Sequence, residues 1–242
     1  MRLDDSELVR REYASEERLA VRMWVYRELV EGENPEEVAF EAVAEAAPER
    51  VLEVGCGDGA FAERVGRELG ADVVALDVSP RMVELARARG VDARVGDAQA
   101  LPFSRGEFDC AVANWMLYHV PDLDRALDEL GRVLRPGGRL VAGTFGMENL
   151  RELWQVLGDE GSPEVSFVVE NGREALLRRF RRVERRDASG TVVFPNTEAV
   201  KRYVAATIRR VHLAERVPAF PEPFRATSVQ AVFVAEDPLP RG

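Results

Sequence analysis

Cysteine and histidine are nearly missing from this chain: Cys56 and Cys110, His119 and His212, in 242 residues. Two distant thiols make no disulfide framework, and no Cys/His cluster has the spacing of a zinc site, so no metal is expected and a reducing, cytoplasmic setting fits best. Long apolar runs are missing as well. Nothing approaches the roughly 18 uninterrupted apolar residues of a membrane helix, and the opening MRLDDSELVRR lacks the apolar stretch of a secretory leader. Neither a membrane span nor a signal peptide is therefore expected. Internal repeats and low-complexity segments are absent too, and the composition excludes collagen, disulfide miniproteins and a pure coiled coil.

What is present is ordinary for a globular protein: 46% hydrophobic, 31% charged and 7% aromatic residues, with 19 glycines and 13 prolines. A chain of this length hides about 70–75% of its unfolded surface, enough for one sizeable α/β domain or two small ones. The net charge of −10 speaks against a nucleic-acid backbone as main partner, since such binding rests on neutralising phosphates. Residues 1–49 carry 14 acidic and 6 basic side chains, whereas residues 172–186 carry seven arginines against two glutamates. The arginine-rich stretch reads as a solvated helix face and a strand edge protected by charge, with an anionic-substrate patch as the alternative.

From Asp4 to about Val30 the pattern is helical, with Val21, Trp24, Val25 and Leu29 on one face. Asn34-Pro35-Glu36-Glu37 reads as a capped helix start, and Pro48 ends that helix. From residue 51 short apolar runs alternate with helical stretches, the signature of βαβ units and a parallel sheet. The strands are Val51–Val54, Asp72–Leu76, Asp92–Val95, Phe108–Ala113 and Arg139–Phe145. Helices fall near Ala60–Leu69, Pro80–Arg89 and Leu123–Leu134, and Pro136-Gly137-Gly138 breaks the chain before the fifth strand. Beyond Phe145, residues 148–157 and 197–210 look helical, while Arg182–Arg186 and Thr191–Phe194 are candidate strands. Val229–Ala235 reads as an antiparallel edge strand closing a doubly wound sheet, because no crossover helix precedes it.

The first strand runs into Gly55-Cys56-Gly57-Asp58-Gly59-Ala60. Alternate glycines permit a sharp turn and a close backbone approach to a ligand, and the following helix offers free N–H groups. A nucleotide is implied, but Gly55, Gly57 and Ala60 also satisfy the dinucleotide pattern, which leaves a nicotinamide-dependent oxidoreductase open at this point. Three carboxylates narrow the choice. Glu53 lies inside a buried strand, where it needs a partner that a cationic amino acid head group would supply. Asp77, 22 residues after Gly55, is spaced to accept both hydroxyls of a ribose. Asp97, after the third strand, could accept from an exocyclic adenine amine.

In order and spacing, VLEVGCGDGAF, ALDVSP, GDAQALPF, FDCAVANWMLYHVPD and RVLRPGGRL resemble the class I S-adenosylmethionine-dependent methyltransferases, and most closely their small-molecule, quinone-biosynthesis-like (type 11) branch. The resemblance covers about residues 48–145, with a weaker echo at Val229–Ala235. It implies a Rossmann-like α/β fold: a doubly wound, mostly parallel seven-stranded sheet with an antiparallel edge strand, plus a helical lid. Residues 1–47 would form an N-terminal helical cap, and residues 48–242 the methyltransferase domain with a lid insertion at about 147–225. It implies further that Gly55 and Gly57 contact the amino acid part of the cofactor, with Glu53 nearby, and that Asp77 holds the ribose. Val78 would flank the adenine, Asp97 and Ala98 bind its edge, and Asn114 lie near the methionyl portion. Met82 would pack on the adenine ring, or simply in the core. Tyr13 and Arg22 sit in YASEERLAVR, similar to N-terminal caps that close over the cofactor carboxylate.

A sulfonium methyl is already activated, so its transfer needs alignment, exclusion of water and, for a hydroxyl or amine acceptor, removal of a proton. His119 is the candidate base, with a purely structural histidine as the alternative; His212 has no assigned role. Trp24, Trp115 and Tyr118 are candidate substrate-pocket residues, although Trp24 on an apolar helix face reads equally as core. An apolar lid with several aromatics suggests a small, partly hydrophobic methyl acceptor. Two other functions stay open. A nucleic-acid (RNA) methyltransferase is kept open by the arginine-rich 173–186 segment, although Asn114 is followed by Trp115-Met116-Leu117 and not by the Pro-Pro-aromatic of amino-group nucleic-acid enzymes. A non-catalytic S-adenosylmethionine-binding regulator would keep the same carboxylates.

Overall fold

Strands buried on both faces must be covered by helices above and below, which is why apolar runs alternating with amphipathic stretches give a layered structure. The computed structural model describes residues 3–159 and 165–240. Residues 160–164 of the expected lid, residues 1–2 of the expected cap and residues 241–242 lie outside the described residues. In chain order the elements are α1 (Ser6–Glu12), α2 (Glu17–Glu28), β1 (Val30–Gly32), α3 (Pro35–Ala44), β2 (Arg50–Val54), α4 (Ala60–Leu69), β3 (Asp72–Asp77), α5 (Pro80–Ala88) and β4 (Asp92–Val95). There follow β5 (Phe108–Val112), α6 (Leu123–Val133), β6 (Leu134–Phe145), α7 (Arg151–Val156), α8 (Gly172–Leu177), β7 (Phe180–Asp187), β8 (Gly190–Phe194), α9 (Thr197–Ala205), β9 (Phe224–Ser228) and β10 (Gln230–Pro238).

The main sheet has seven strands in the order β4-β3-β2-β5-β6-β10-β7. β2, β3, β4, β5 and β6 pair in parallel, and β10 runs antiparallel to both β6 and β7. The expected fold class is therefore present, but Val229–Ala235 is not at the rim. It lies one strand inside, and Phe180–Asp187 forms the edge. The physical reason is visible in the side chains: all six residues Gln230–Ala235 are buried, whereas β7 alternates buried Phe180 and Val183 with exposed arginines. A strand apolar on both faces needs neighbours on both sides. The Pro136-Gly137-Gly138 interruption appears as a register shift between Phe108 and Cys110 against β6.

α3 starts as its residues dictate, with the Asn34 side chain accepting from the Glu36 amide at 2.9 Å and Pro35 in the first turn. It covers the sheet through Phe40 and Val43, packed with Val51, Cys110, Val141 and Val232. On the opposite face α6 buries Leu127 and Leu130 against Leu52, Leu140 and Phe233. Burial raises the thiols of both Cys56 and Cys110, the latter to about 12, so each behaves as a small apolar side chain.

The single helix expected from Asp4 to Val30 is two helices, α1 and α2, separated at Tyr13–Glu16. Glu12, buried at the end of α1, takes Arg18 at 2.9 Å and Arg22 at 2.7 Å from α2 and so holds the bend. β1, β8 and β9 make a second, antiparallel sheet that the sequence pattern did not announce as a unit. α2, α7, α9 and this small sheet share one core, with Val25, Leu153, Trp154, Phe194, Val200 and Tyr203 inside it. Thus α2 belongs physically to the same layer as α7, α9 and the small sheet. Six of the seven arginines in residues 172–186 are ion-paired: Arg178 with Glu174, Arg179 with Asp124 and Asp128, Arg181 with Asp237, Arg182 with Glu236, Arg185 with Asp187, and Arg186 with Glu45. Their positive charge is largely matched by carboxylates of the same molecule.

Phe233 is fully buried in β10 and meets Phe167 edge-on at 5.8 Å. Replacing it by alanine leaves a cavity beside the antiparallel strand, and Phe233→Ala is expected to cost about 3–5 kcal/mol in urea denaturation. Val156→Ala, at a side chain 51% exposed, should stay within about 0.5 kcal/mol.

Candidate active site

Strand order reverses between β2 and β5, and ligands in such sheets bind where the carboxyl ends of the strands splay apart. A cavity of about 620 Å³ opens there. Its floor is the turn after β2. Gly55 has φ +73°, and a Cβ on it would lie 2.7 Å from the Cβ of Met116, so any side chain at that position meets both backbone strain and a clash. The Gly55 and Cys56 amides donate to the Leu76 carbonyl at 2.7 and 3.0 Å. Gly57, at φ +54°, donates its amide to Asp77 Oδ2 at 3.0 Å and has only Leu19 close to where a Cβ would stand.

Asp77 Oδ1 accepts from the Ser79 amide at 2.9 Å. With one bond at each oxygen, the carboxylate keeps acceptor capacity for a further pair of donors. Burial raises the Asp77 pKa against the pull of the Ser79, Gly57 and Val78 amides. Glu53 is 4% exposed, and its Oε2 has no partner among the described residues. Burial first, and then the charges of Glu36, Asp58 and Asp77, push its pKa well above the usual carboxylate range. A buried acid in that condition calls for a cation. Asp97 is exposed at the mouth, where Oδ1 accepts from the amide and side chain of Gln99 at 2.8 and 3.0 Å, and Ala98 is buried beside it.

The turn after β5 brings in the other wall. Asn114 Oδ1 accepts from the Gly143 amide at 3.2 Å, and its buried Nδ2 has no partner among the described residues. Trp115 adopts φ +52°, a rare conformation for a bulky residue, held by its amide on the Gly143 carbonyl at 2.9 Å and by its indole N–H on Gln230 Oε1 at 2.6 Å. Tyr118 stands edge-on to His119 at 4.5 Å and to Phe145 at 4.8 Å.

His119 makes two hydrogen bonds. Nδ1 lies 2.9 Å from the Leu3 carbonyl, which can only accept, so Nδ1 carries the proton. Nε2 is then the acceptor for the Tyr13 hydroxyl at 3.0 Å. Burial pushes the imidazole down to about 4, against the pull of the Leu3 carbonyl, and the ring is neutral at pH 7. Tyr13 is fixed at its other end too, since its carbonyl accepts from Ser79 Oγ at 2.6 Å.

Tyr13, Arg22, Glu53, Gly55, Gly57, Asp77, Val78, Asp97, Ala98, Asn114, Trp115, Tyr118 and His119 all line this one cavity. Met82 and Trp24 do not. Met82 is fully buried in α5, and Trp24 packs against the core shared by α2, α7, α9 and the small sheet, beneath Arg202, 5.3 Å above its ring. His212 is exposed. Sequence reasoning missed Met23, Tyr26, Asn149, Tyr203 and Arg209, which also line it. Leu19, Arg22, Met23 and Tyr26 recur at helical spacing, so the face of α2 that includes Arg22 carried the signal; Tyr203 and Arg209 approach only through tertiary packing. Among the described residues no group of three His, Cys, Asp or Glu is placed to hold a metal, and no helix is long and apolar enough to cross a membrane.

Comparison with known proteins agrees with this geometry. A family described as "Methyltransferase domain" matches residues 52–142. The methyltransferase GfsG of Streptomyces halstedii is 40% identical over 118 residues, 46% of this chain and 42% of that protein. The ubiquinone biosynthesis O-methyltransferase of Xanthomonas oryzae pv. oryzae is 36% identical over 161 residues, 60% of this chain and 67% of that protein. The aligned part therefore spans less than half of the first relative and two thirds of the second. Among solved structures, an S-adenosylmethionine-dependent methyltransferase from Thermotoga maritima, described as a possible histamine N-methyltransferase, superposes with a TM-score of 0.60 at 21% identity, covering 94% of this chain and 99% of that one. With these relatives, this strand order and these carboxylates at the switch point, the chain belongs to the class I S-adenosylmethionine-dependent methyltransferases.

Proposed function

We propose that the carboxylate-lined floor binds S-adenosylmethionine and that the chain transfers its methyl group to a small, partly hydrophobic acceptor held under the lid. One observation carries the reading: the buried Oε2 of Glu53, without a partner among the described residues, two residues before a glycine turn with room for a ligand at Gly57. The cofactor's ammonium group answers that need. Asp77 has acceptor capacity left for the ribose hydroxyls, Val78, Asp97 and Ala98 border the adenine, and Asn114 offers its free amide N–H to the methionyl portion. Tyr13 and Arg22 cover this end from the bend between α1 and α2. In this reading residues 1–47 form the cap, residues 48–242 the methyltransferase domain, and residues 147–225 its lid insertion.

When bound, the cofactor supplies an activated sulfonium methyl. The protein's own work is to align the acceptor, exclude water and, for a hydroxyl or amine, remove a proton. His119 Nε2 is the proton acceptor in this reading, reached through Tyr13: the acceptor's proton passes to the Tyr13 oxygen as the Tyr13 proton moves to Nε2. Leu3 holds the ring in the required tautomer. Trp115 and Tyr118, with Phe145, form the aromatic wall against which the acceptor lies.

Calorimetry with S-adenosylhomocysteine tests the floor. Glu53→Gln should weaken binding about 10–100-fold, the worth of a hydrogen bond to a charged group. Because the Glu53 pKa is raised, wild-type affinity should fall as pH drops through it, since the protonated acid no longer pairs with an ammonium; the variant should show a flatter profile. Absence of any binding heat sinks the reading. For a hydroxyl acceptor, His119→Gln should lower kcat by about 100-fold with cofactor affinity unchanged. The wild-type acid limb should fall near pH 4 and not near 6.5, because burial holds the imidazole low. Unchanged turnover across a pH series takes His119 out of the proton path.

A further inference from the structure

The cavity is bipolar. Glu53, Asp58, Asp77 and Asp97 stand on the floor, carried by β2 and the turn after it, the end of β3 and the turn after β4, while Arg22 of α2 and Arg209 and Arg210, beyond α9, stand on the lid side. Arg210 is ion-paired with Asp159 and lies over the Trp154 ring at 4.1 Å. The other two arginines are incompletely matched. Arg22 Nη1 donates to Glu12 at 2.7 Å and to the Ala206 carbonyl at 2.6 Å, but its Nη2 has no partner among the described residues. Nη1 of Arg209 is likewise buried without a partner among the described residues. Burial and the neighbouring Arg210 charge hold the Arg209 guanidinium below its usual pKa.

A guanidinium with buried, unsatisfied N–H groups is costly unless an anion completes it, and its planar fork matches an oxyanion. The cavity that these two residues line is also lined by Tyr26, Tyr118, Phe145, Trp154 and Tyr203. Burial raises the pKa of Tyr26, Tyr118 and Tyr203, so these phenols stay neutral and do not repel an anion. We propose that the methyl acceptor carries a compact oxyanion, a carboxylate or a phosphate, that Arg22 and Arg209 hold on the lid side while its apolar body lies on the aromatic wall. The separation of charge then orients the acceptor: the anion goes to the arginines, and its nucleophilic atom faces the floor. This inference rests on the floor being the cofactor site, and the cofactor's own carboxylate is the competing source of an anion for Arg22.

The test titrates protein saturated with S-adenosylhomocysteine. The probes are benzoate, 4-hydroxybenzoate and phenylacetate, each against its neutral amide, with phenyl phosphate as the phosphate arm. At least one anion should bind about tenfold or more tightly than its neutral counterpart, the factor expected of one charge-assisted hydrogen bond. A stronger response to phenyl phosphate than to the carboxylates assigns the phosphate. Arg209→Gln should abolish the preference for the anion, with S-adenosylhomocysteine affinity within about twofold of wild type and an unchanged melting temperature; Arg22→Gln, which also removes a partner of Glu12 and of the cofactor end of the cavity, should abolish the preference whatever it does to S-adenosylhomocysteine affinity. Three results overturn the proposal: no anion outbinds its neutral counterpart, the preference survives Arg209→Gln, or Arg22→Gln weakens the cofactor product and leaves the preference intact. Failure of the first titration, with S-adenosylhomocysteine alone, removes the cofactor reading and this inference with it.

Discussion

The bond from the Gly57 amide to the Asp77 carboxylate ties the turn after β2 to the end of β3, beside the place where strand order reverses between β2 and β5. The floor of the cavity depends on it. β2 and β5 end there, and their loops diverge because the chain leaves toward β3 on one side and toward β6 on the other. Asp77 fixes the β2 side, taking one amide from the glycine turn and one from Ser79 at the start of α5. A residue with a Cβ at Gly55 would strike Met116, so the close approach of the turn after β5 to the turn after β2 is also a glycine property. With both constraints met, Glu53 is left deep in the sheet with an oxygen that nothing in the described protein satisfies.

Tyr13 joins the N-terminal segment to that floor. Its carbonyl holds Ser79 Oγ, its hydroxyl holds His119, and Arg22 lies 5.6 Å above its ring. Ser79 also caps α5 through the Met82 amide at 3.3 Å, so one hydroxyl serves helix start and cap closure together. Arg81 of α5 adds a pair of bonds to Glu16 at 2.8 and 3.1 Å. The bend at Tyr13–Glu16 is therefore where the N-terminal helices, the cavity floor and the histidine meet. A continuous helix over that stretch could not place Tyr13 inside and Arg22 under the lid at once.

The sheet was legible because its strands are local. Val51–Val54, Asp72–Asp77 and Phe108–Val112 are apolar runs that need cover on both faces, and Asn34, Ser79 and Asp122 are caps that act within three residues. The lid was less legible, since β1 and β9 gain their identity only by pairing with β8, across more than 150 residues in the case of β1. Trp24 illustrates the same limit. Its apolar face was plain, but whether that face met a cavity or a core depended on α7 and α9.

Local chemistry alone determined the glycine turn, the three carboxylates and the family, because each is a short motif whose backbone geometry and charge do not depend on distant partners. Folding decided what the motifs became. Its long-range pairing put β10 inside the sheet and left β7 on the rim. Burial lowered His119 and set its tautomer through Leu3, and the lid brought Arg22 and Arg209 to one cavity although 187 residues separate them. Desolvation and hydrogen-bond satisfaction are properties of an environment, and no environment exists until the chain has closed around it.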